Sequence, residues 1–549
     1  MRCRSVLVAV RSATALHRLL DVLPVFDGDD RIASRFTLVP GSDFDVDALA
    51  ALEHAGARLI PWDEARRGGH DLVLSASPKG AVWALSGPRV LLPHGAGFNK
   101  AISGDGSPGI PSGLDPHYLL ADGEPWASLH ALAHGDQLAR LAEHCPPAAA
   151  RAAVVGDPTL DRILGSVIHR EGYRAALGTG DRRLVVLTAS WGPESLLSRH
   201  PGLPAELVGG LPCDDYQFAL VLHPNEYSRI GEFDLARQLA PALAAGLVLA
   251  GPHQEWAALL IAADAVITDH GSTALYAAAL GRPVIGAYDG GDELIPGSPM
   301  ADLLAKAPHL GDPAELPEAL RQAVAQDARP AAEAAFALPG ESLPRLRHEL
   351  YRLLQLEPPA AAPTIRQLPQ PSAAPTPPSA FAVQIPQLTG HHITVERYPS
   401  FRSGPVHHRA AAHPDAGLRQ VQSAAVLWRH AQRQDSATPA PNSAWTAAGW
   451  TAHVLAELPG RRTAAAILGA DRCLIRHHRA GLVAVRIEPN RADGRVRRAD
   501  PTAVVSAVHA WLNANSAWTA PTSLDCRVGR LAVRVELAAP GATDLDHEL

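Results

Sequence analysis

The sequence predicts an α/β chain: two lobes on parallel sheets, then a smaller α+β module. Three observations carry this. Runs of Val, Ile and Leu without polar alternation, as in strands buried on both faces, alternate with helical Ala/Leu/Arg stretches. The alternation runs twice, ending near Arg151 and resuming near Arg183. A segment with eight prolines in 21 residues, 358–378, then interrupts the pattern. At roughly 100–200 residues per domain, a chain of 549 residues is expected to hold about three.

In the first lobe, taken as 1–151, strands are expected at 6–10, 36–39, 72–75 and 89–92, with a helical stretch at 47–55. In the second, 152–357, strands are expected at 184–188, 218–222, 246–249, 265–267 and 284–286, and helices at 234–242, 273–280 and 317–325. Strand–helix–strand succession implies parallel neighbours joined by crossovers. Two such lobes place a ligand cleft between them, at the carboxyl ends of their strands. Proline has no ladder donor, so 358–380 is expected to be an extended, semi-rigid linker. In the α+β module, 381–549, the stretches 392–398, 482–488 and 531–537 alternate like half-exposed strands. The stretch 501–514, opened by a proline, reads as an amphipathic helix.

The formal net charge is −7, divided as −13 over 1–379 and +6 over 380–549. An acidic chain lacks the basic face of a general nucleic-acid binder, so nucleic acid is not expected as a partner. Only three lysines occur, Lys79, Lys100 and Lys306. Five scattered cysteines without a C-x-x-C pair exclude a disulfide framework and a zinc ribbon, and fit a reducing cytoplasm. The first apolar run is too short for a signal peptide, and no run of 18 apolar residues spans a membrane. Neither a P-loop nor a G-x-S-x-G elbow is present.

Four clusters at predicted strand ends bear chemistry. In LLPHGAGFNK, 91–100, a strand runs into His94-Gly95. The glycine permits close backbone approach, and a histidine takes up a proton near neutrality; the plainer role for His94 is a turn cap. In LTASWGPES, 187–195, a strand enters a Ser/Trp/Gly loop that packs on a ligand or merely turns the chain. In ALVLHPNEY, 219–227, His223 follows a strand ended by Pro224 and is placed to meet phosphate as a cation or to act as a general acid. In ADAVITDHGSTALYAAALGRPVIG, 263–286, a strand, a His-Gly-Ser-Thr turn and a helix follow one another. Amides at that helix start, with Ser272 and Thr273, make an anion site, and either hydroxyl is equally an N-cap. The histidine pairs 391/392, 407/408 and 477/478 lack flanking ligands, so no metal site is expected.

Taken in order, these clusters resemble the CDP-glycerol glycerophosphotransferases, the teichoic-acid-type polymerases and primases. The likeness covers about 1–355: His-Gly followed by a Lys, then G-x-P-x-x-x-D, a small-residue loop with Trp, His-Pro, and T-D-x-x-S with a trailing R-P. It implies a GT-B fold of two Rossmann-like lobes and a nucleotide-activated small-molecule donor. It implies His94 as catalytic base, with Asp269 placed near the site. Donor phosphates would be held by Gly95, His223, Gly271, Ser272, Thr273 and Arg282, with no metal or cofactor. Departures are Pro93 where an aromatic is usual, Gly271 before a hydroxyl pair, and Tyr276 where an acid is expected. No basic membrane-docking extension is evident. V-x-G-D-P-T-x-D, 154–161, is similar to the interlobe segment of UDP-N-acetylglucosamine 2-epimerases, the second enzymatic reading, although their T-H-R-x-E-N motif is missing. A non-enzymatic reading is a degenerate scaffold that binds a nucleotide or partner. Acceptor and oligomeric state are left open by the sequence.

Overall fold

The computed structural model describes residues 3–549 except 43, 252–254, 289–290, 373–376, 403, 432–443 and 516. Two doubly wound lobes face one another in the GT-B arrangement, and a closed β-barrel follows them.

The first sheet contains β1 (Arg4–Val10), β2 (Ile32–Leu38), β3 (Leu72–Ser75), β4 (Arg89–Leu91), β5 (Leu129–Leu132) and β6 (Ala152–Val154), in the order 2-1-3-4-5-6. The second contains β7 (Arg183–Ala189), β8 (Tyr216–Leu222), β9 (Val248–Leu249), β10 (Ala265–Thr268) and β11 (Val284–Gly286), in the order 9-8-7-10-11. Every pairing in both sheets is parallel. Strand order reverses between β1 and β3 in the first sheet and between β7 and β10 in the second. Each reversal opens a crevice at the strands' carboxyl ends.

The lobe boundary differs from the expected cut at 151/152. The run Ala152–Val154 pairs with β5 and completes the first sheet. Helix α6 (Ser342–Leu354), near the end of the expected second lobe, returns to the first. Its Leu343, Leu346, Leu350, Tyr351 and Leu354 form one apolar stripe packed with Val6, Val8, Leu72 and Leu74. A 3.6-residue stripe shows that a face is buried but not against which sheet.

The Pro-rich segment forms no helix or strand among its described residues, yet it does not hang in solvent. Its Leu368 is buried in the second lobe and Ile365 packs on the first.

The barrel contains β12 (Ala380–Thr389), β13 (His392–Pro399), β14 (His408–Ala412), β15 (Val426–His430), β16 (Thr463–Ile467), β17 (Arg472–His477), β18 (Gly481–Ile487), β19 (Thr522–Val528) and β20 (Leu531–Ala538). It closes in the order 12-13-19-20-18-17-16-15-14. Helix α7 (Pro501–Ala514) runs through its lumen, with every residue from Thr502 to Leu512 buried. Inward side chains of all nine strands join the helix in one core. The expected amphipathic helix therefore has no solvent face.

The barrel sits on the second lobe. The loop before β8 brings Asp214 to the barrel's Arg397, whose Nη2 also meets Asp500, the N-cap of α7, at 2.8 Å. Among the described residues, no helix is long and apolar enough to cross a membrane.

Candidate functional site

The interlobe crevice encloses a cavity of ≈ 510 Å³, within the range of small-molecule sites. Its walls come from carboxyl ends of strands in both sheets: Arg11 after β1, Lys79 after β3, His94 to Lys100 after β4, Ser190 and Trp191 after β7, His223 after β8, and His270 to Thr273 after β10. Two of the three lysines of the chain lie here.

His94 follows β4 and presents its ring to the cavity. The ring is open to solvent, yet desolvation by the cleft walls, then the charges of Arg18 and Lys79 and a smaller push from Lys100, bring its pKa down to about 4. The Ala76 backbone opposes this in part. A neutral imidazole carries one N–H and keeps its other nitrogen as an acceptor.

The turn carrying His94 is fixed from beneath by Arg18 of helix α1 (Ala13–Val22). Arg18 donates to the carbonyls of Pro93 at 2.8 Å and Gly95 at 3.2 Å. It also forms a bidentate pair with Asp157, and Tyr276 donates to the same carboxylate at 3.1 Å. Asp157 caps helix α2 (Pro158–Gly165), and Tyr276 lies on helix α5 (Thr273–Ala279). The buried trio thus ties the His94 turn to the helix behind Ser272. Sequence reasoning missed Arg18, which stands mid-helix in no motif. It did single out the stretch around Asp157 and the unusual Tyr276, without seeing that they meet. Asp161, from that same stretch, receives the amides of Gly340 and Ser342. Both acids of the interlobe motif are therefore structural here.

His223 faces His94 from the other lobe, close enough that His94 contributes to its lowered pKa. Burial is the larger cause, followed by Lys100, and together they bring it to about 3. Its Nδ1 accepts the Asn225 amide at 3.1 Å, capping helix α3 (Pro224–Ile230). The ring is therefore neutral and its Nε2 carries the proton, so His223 offers a hydrogen bond and not the expected positive charge.

Gly95, Gly271, Ser272 and Thr273 all line the cavity. A Cβ on Gly95 would stand 3.1 Å from the Ser272 hydroxyl, so the two lobes meet here at glycine distance. Ser272 is the N-cap of α5 but makes no capping bond with its side chain.

Two expected site residues lie elsewhere. Asp269 is fully buried and outside the cavity lining. Its carboxylate accepts from the Ser190 amide (2.7 Å) and hydroxyl (2.9 Å), the Leu196 amide (2.9 Å) and the Gly271 amide (2.8 Å). It joins the loops after β7 and β10 and has no free face for substrate. Arg282 lies at the opposite, amino end of the strands, where it donates to the Ile261 carbonyl at 2.9 Å. Burial and the like charge of Arg170 bring its pKa down to about 10. The R-P pair follows α5, and one helix length carries the chain back across the sheet, away from the crevice.

Lys100 was noted only as the lysine after His-Gly. It stands 6.0 Å from the Trp191 ring centre and 3.5 Å from Glu293, which holds His270 Nε2 at 2.9 Å. Backbone bonds Ala101 N–H to Glu293 O and Ile295 N–H to Asn99 O, each 2.9 Å, staple the lobes beside it. Phe44 of the first lobe meets Trp191 of the second edge-on at 5.8 Å. Among the described residues, no group of three or more His, Cys, Asp or Glu is arranged to hold a metal.

No protein-family model matches the chain, and no curated protein matches it significantly. Similar solved structures include the wall teichoic acid polymerase TagF, at 14% identity over 64% of this chain and 89% of that one, with a TM-score of 0.47. Others are a UDP-GlcNAc 2-epimerase from Neisseria meningitidis bound to UDP-GlcNAc (13%, 64% and 99%, 0.40) and S. aureus MnaA with UDP (10%, 66% and 100%, 0.42). At these values the likenesses carry no functional weight.

Proposed function

We propose that this chain is a nucleotide-activated group transferase, moving glycerol phosphate or a sugar from a CDP- or UDP-linked donor to an acceptor hydroxyl. The observation that carries this reading is the pairing of His94 and His223, from opposite lobes, across one cavity that also holds Lys79, Lys100, Ser272 and Thr273. His94, neutral with one nitrogen free, removes the acceptor proton. The acceptor oxygen bonds to the donor's phosphorus or, for a sugar donor, to the anomeric carbon. The bond to the departing nucleotide breaks with its electron pair. Negative charge gathering on that phosphate is met by the His223 Nε2–H, the Ser272 and Thr273 hydroxyls and the two lysines, all fixed before reaction. The cytoplasm, a reducing compartment, remains the expected location.

A panel of CDP-glycerol, other CDP-linked polyols and UDP-sugars, assayed for released nucleotide, tests the reading. A general base typically contributes ~10²–10⁴-fold, so His94→Ala should lose about that much turnover while nucleotide affinity stays within about threefold. Loss of nucleotide binding in place of turnover would assign His94 to the donor site and remove it as base.

A further inference from the structure

We propose that the Pro-rich segment is a wall of the ligand cavity, so that its docking on the lobes and occupation of the site by a nucleotide reinforce each other. This rests on the nucleotide reading above and extends it to a part of the chain outside both lobes.

The segment is attached at successive points. Arg366 pairs with Asp27 of the first lobe at 3.0 Å. The next two carbonyls, of Arg366 and Gln367, accept from Arg162 on α2 at 3.0 and 3.3 Å. Leu368 has both backbone groups engaged by the second lobe: its amide donates to the Ser166 hydroxyl at 3.0 Å and its carbonyl accepts from the Tyr173 hydroxyl at 2.8 Å. Further on, the Ser372 amide donates to Glu255, the first residue of helix α4 (Glu255–Ala262), at 2.8 Å. The segment therefore crosses from one lobe to the other. A mere spacer needs none of these bonds, and proline-rich chain is stiff enough to hold them at low entropic cost.

Leu368 does more than anchor. Its side chain lies in the core of the second lobe with Ala257 and Tyr276, and these three, with Trp256 and Arg162, line the same cavity as His94. An apolar wall beside a guanidinium suits the flat face of a nucleobase better than its phosphates. Any ligand touching Leu368 binds more tightly to the docked segment than to the displaced one. By linkage it must then favour docking to the same degree.

Hydrogen exchange on the full chain, with CDP and UDP as probes, reads this directly. A nucleotide that binds should slow exchange in 365–372 about fivefold or more. Ser166→Ala combined with Tyr173→Phe removes both anchors of Leu368, and neither residue lines the cavity. It should speed that exchange and raise the nucleotide Kd about three- to tenfold, the loss of two modest hydrogen bonds. If this variant fails to fold, Leu368→Ala replaces it, with the same expected rise in Kd. Normal binding with unchanged exchange in 365–372 and an unaltered variant Kd would overturn the proposal while leaving the transferase reading intact. Failure of the wild-type chain to bind either nucleotide would overturn that parent reading and take this one with it.

Discussion

His94 illustrates how a position legible from sequence acquires its working character only from its neighbours. A histidine after a buried strand and before glycine is a sequence signal; the Arg18 and Lys79 charges that act on it are not. Because its pKa is brought down to about 4, the ring stays neutral, the form a base needs, from alkaline pH down to about pH 5. The donor kcat/KM, which reports the free enzyme, should be flat over that range and decline only near pH 4. The phosphates of a bound donor offset the cations that depress the ring, so the kcat profile should fall at a higher pH than the kcat/KM profile. Coincident limbs near 6.5 would contradict this electrostatic picture. Gly95, His223 and Gly271 to Thr273 line the crevice with His94 because strand ends in a doubly wound fold point to one place. Asp269 and Arg282 were misjudged because a motif states proximity in the chain and not orientation: one turns inward to amides and the other leaves by the far side.

At the scale of elements, helices and strands separate by how well their pattern reports their surroundings. Strands β13, β18 and β20 alternate and were recognised. Strand β16, TAAAI, is buried on both faces and built of alanine, which reads as helix as easily as strand. Helix α7 was placed correctly at 501–514, but its polar positions are not a wet face. His509 of α7 meets His408 edge-on at 4.7 Å and His477 edge-on at 5.9 Å, measured between ring centres, and His407 and His478 lie against those two. Two of the three histidine pairs noted in the sequence thus converge at one end of the lumen. Thr463 and Asn513 bond the His509 ring, while the titratable groups facing it are His407, His408, His477 and Arg462. Burial is the main cause of lowered pKa values in all three rings, to about 3 for His408, about 4 for His477 and about 2 for His509. In the unfolded chain such rings titrate near ~6.5, so between the two pH values the unfolded state binds more protons. Stability is complete above about pH 6.5 and is lost as pH falls from there toward 4. Calorimetry at pH 7.5, 5.5 and 4.5 should show a falling Tm, and His509→Phe should flatten that slope; an equal slope in the variant would place the acid sensitivity elsewhere.

At the scale of the molecule, the Pro-rich boundary and the change of charge across it showed where one body ends. They did not show how the bodies dock, because docking depends on single partners brought together from distant chain positions. Arg397 is such a partner. It is buried, bidentate with Asp214, bonded to Asp500 and Thr502, and stacked 4.3 Å over the Phe381 ring centre. Removing one member of a buried ionic cluster leaves the others uncompensated, typically at a cost of about 3–5 kcal/mol. Arg397→Ala should therefore split thermal unfolding into two transitions, with the barrel separating or melting first; a single transition at the wild-type temperature would mean that other contacts hold the interface. The same clasp makes the barrel a lever arm for the lobe that carries it. If the crevice gapes to admit a substrate, the far rim of the barrel sweeps a longer arc than any residue at the hinge. Cys3, the one exposed thiol among the described residues, directly precedes β1 of the other lobe. A dye there and a second at the solvent-facing Glu536, exchanged for cysteine, would turn the opening of this molecule into a length measured one particle at a time.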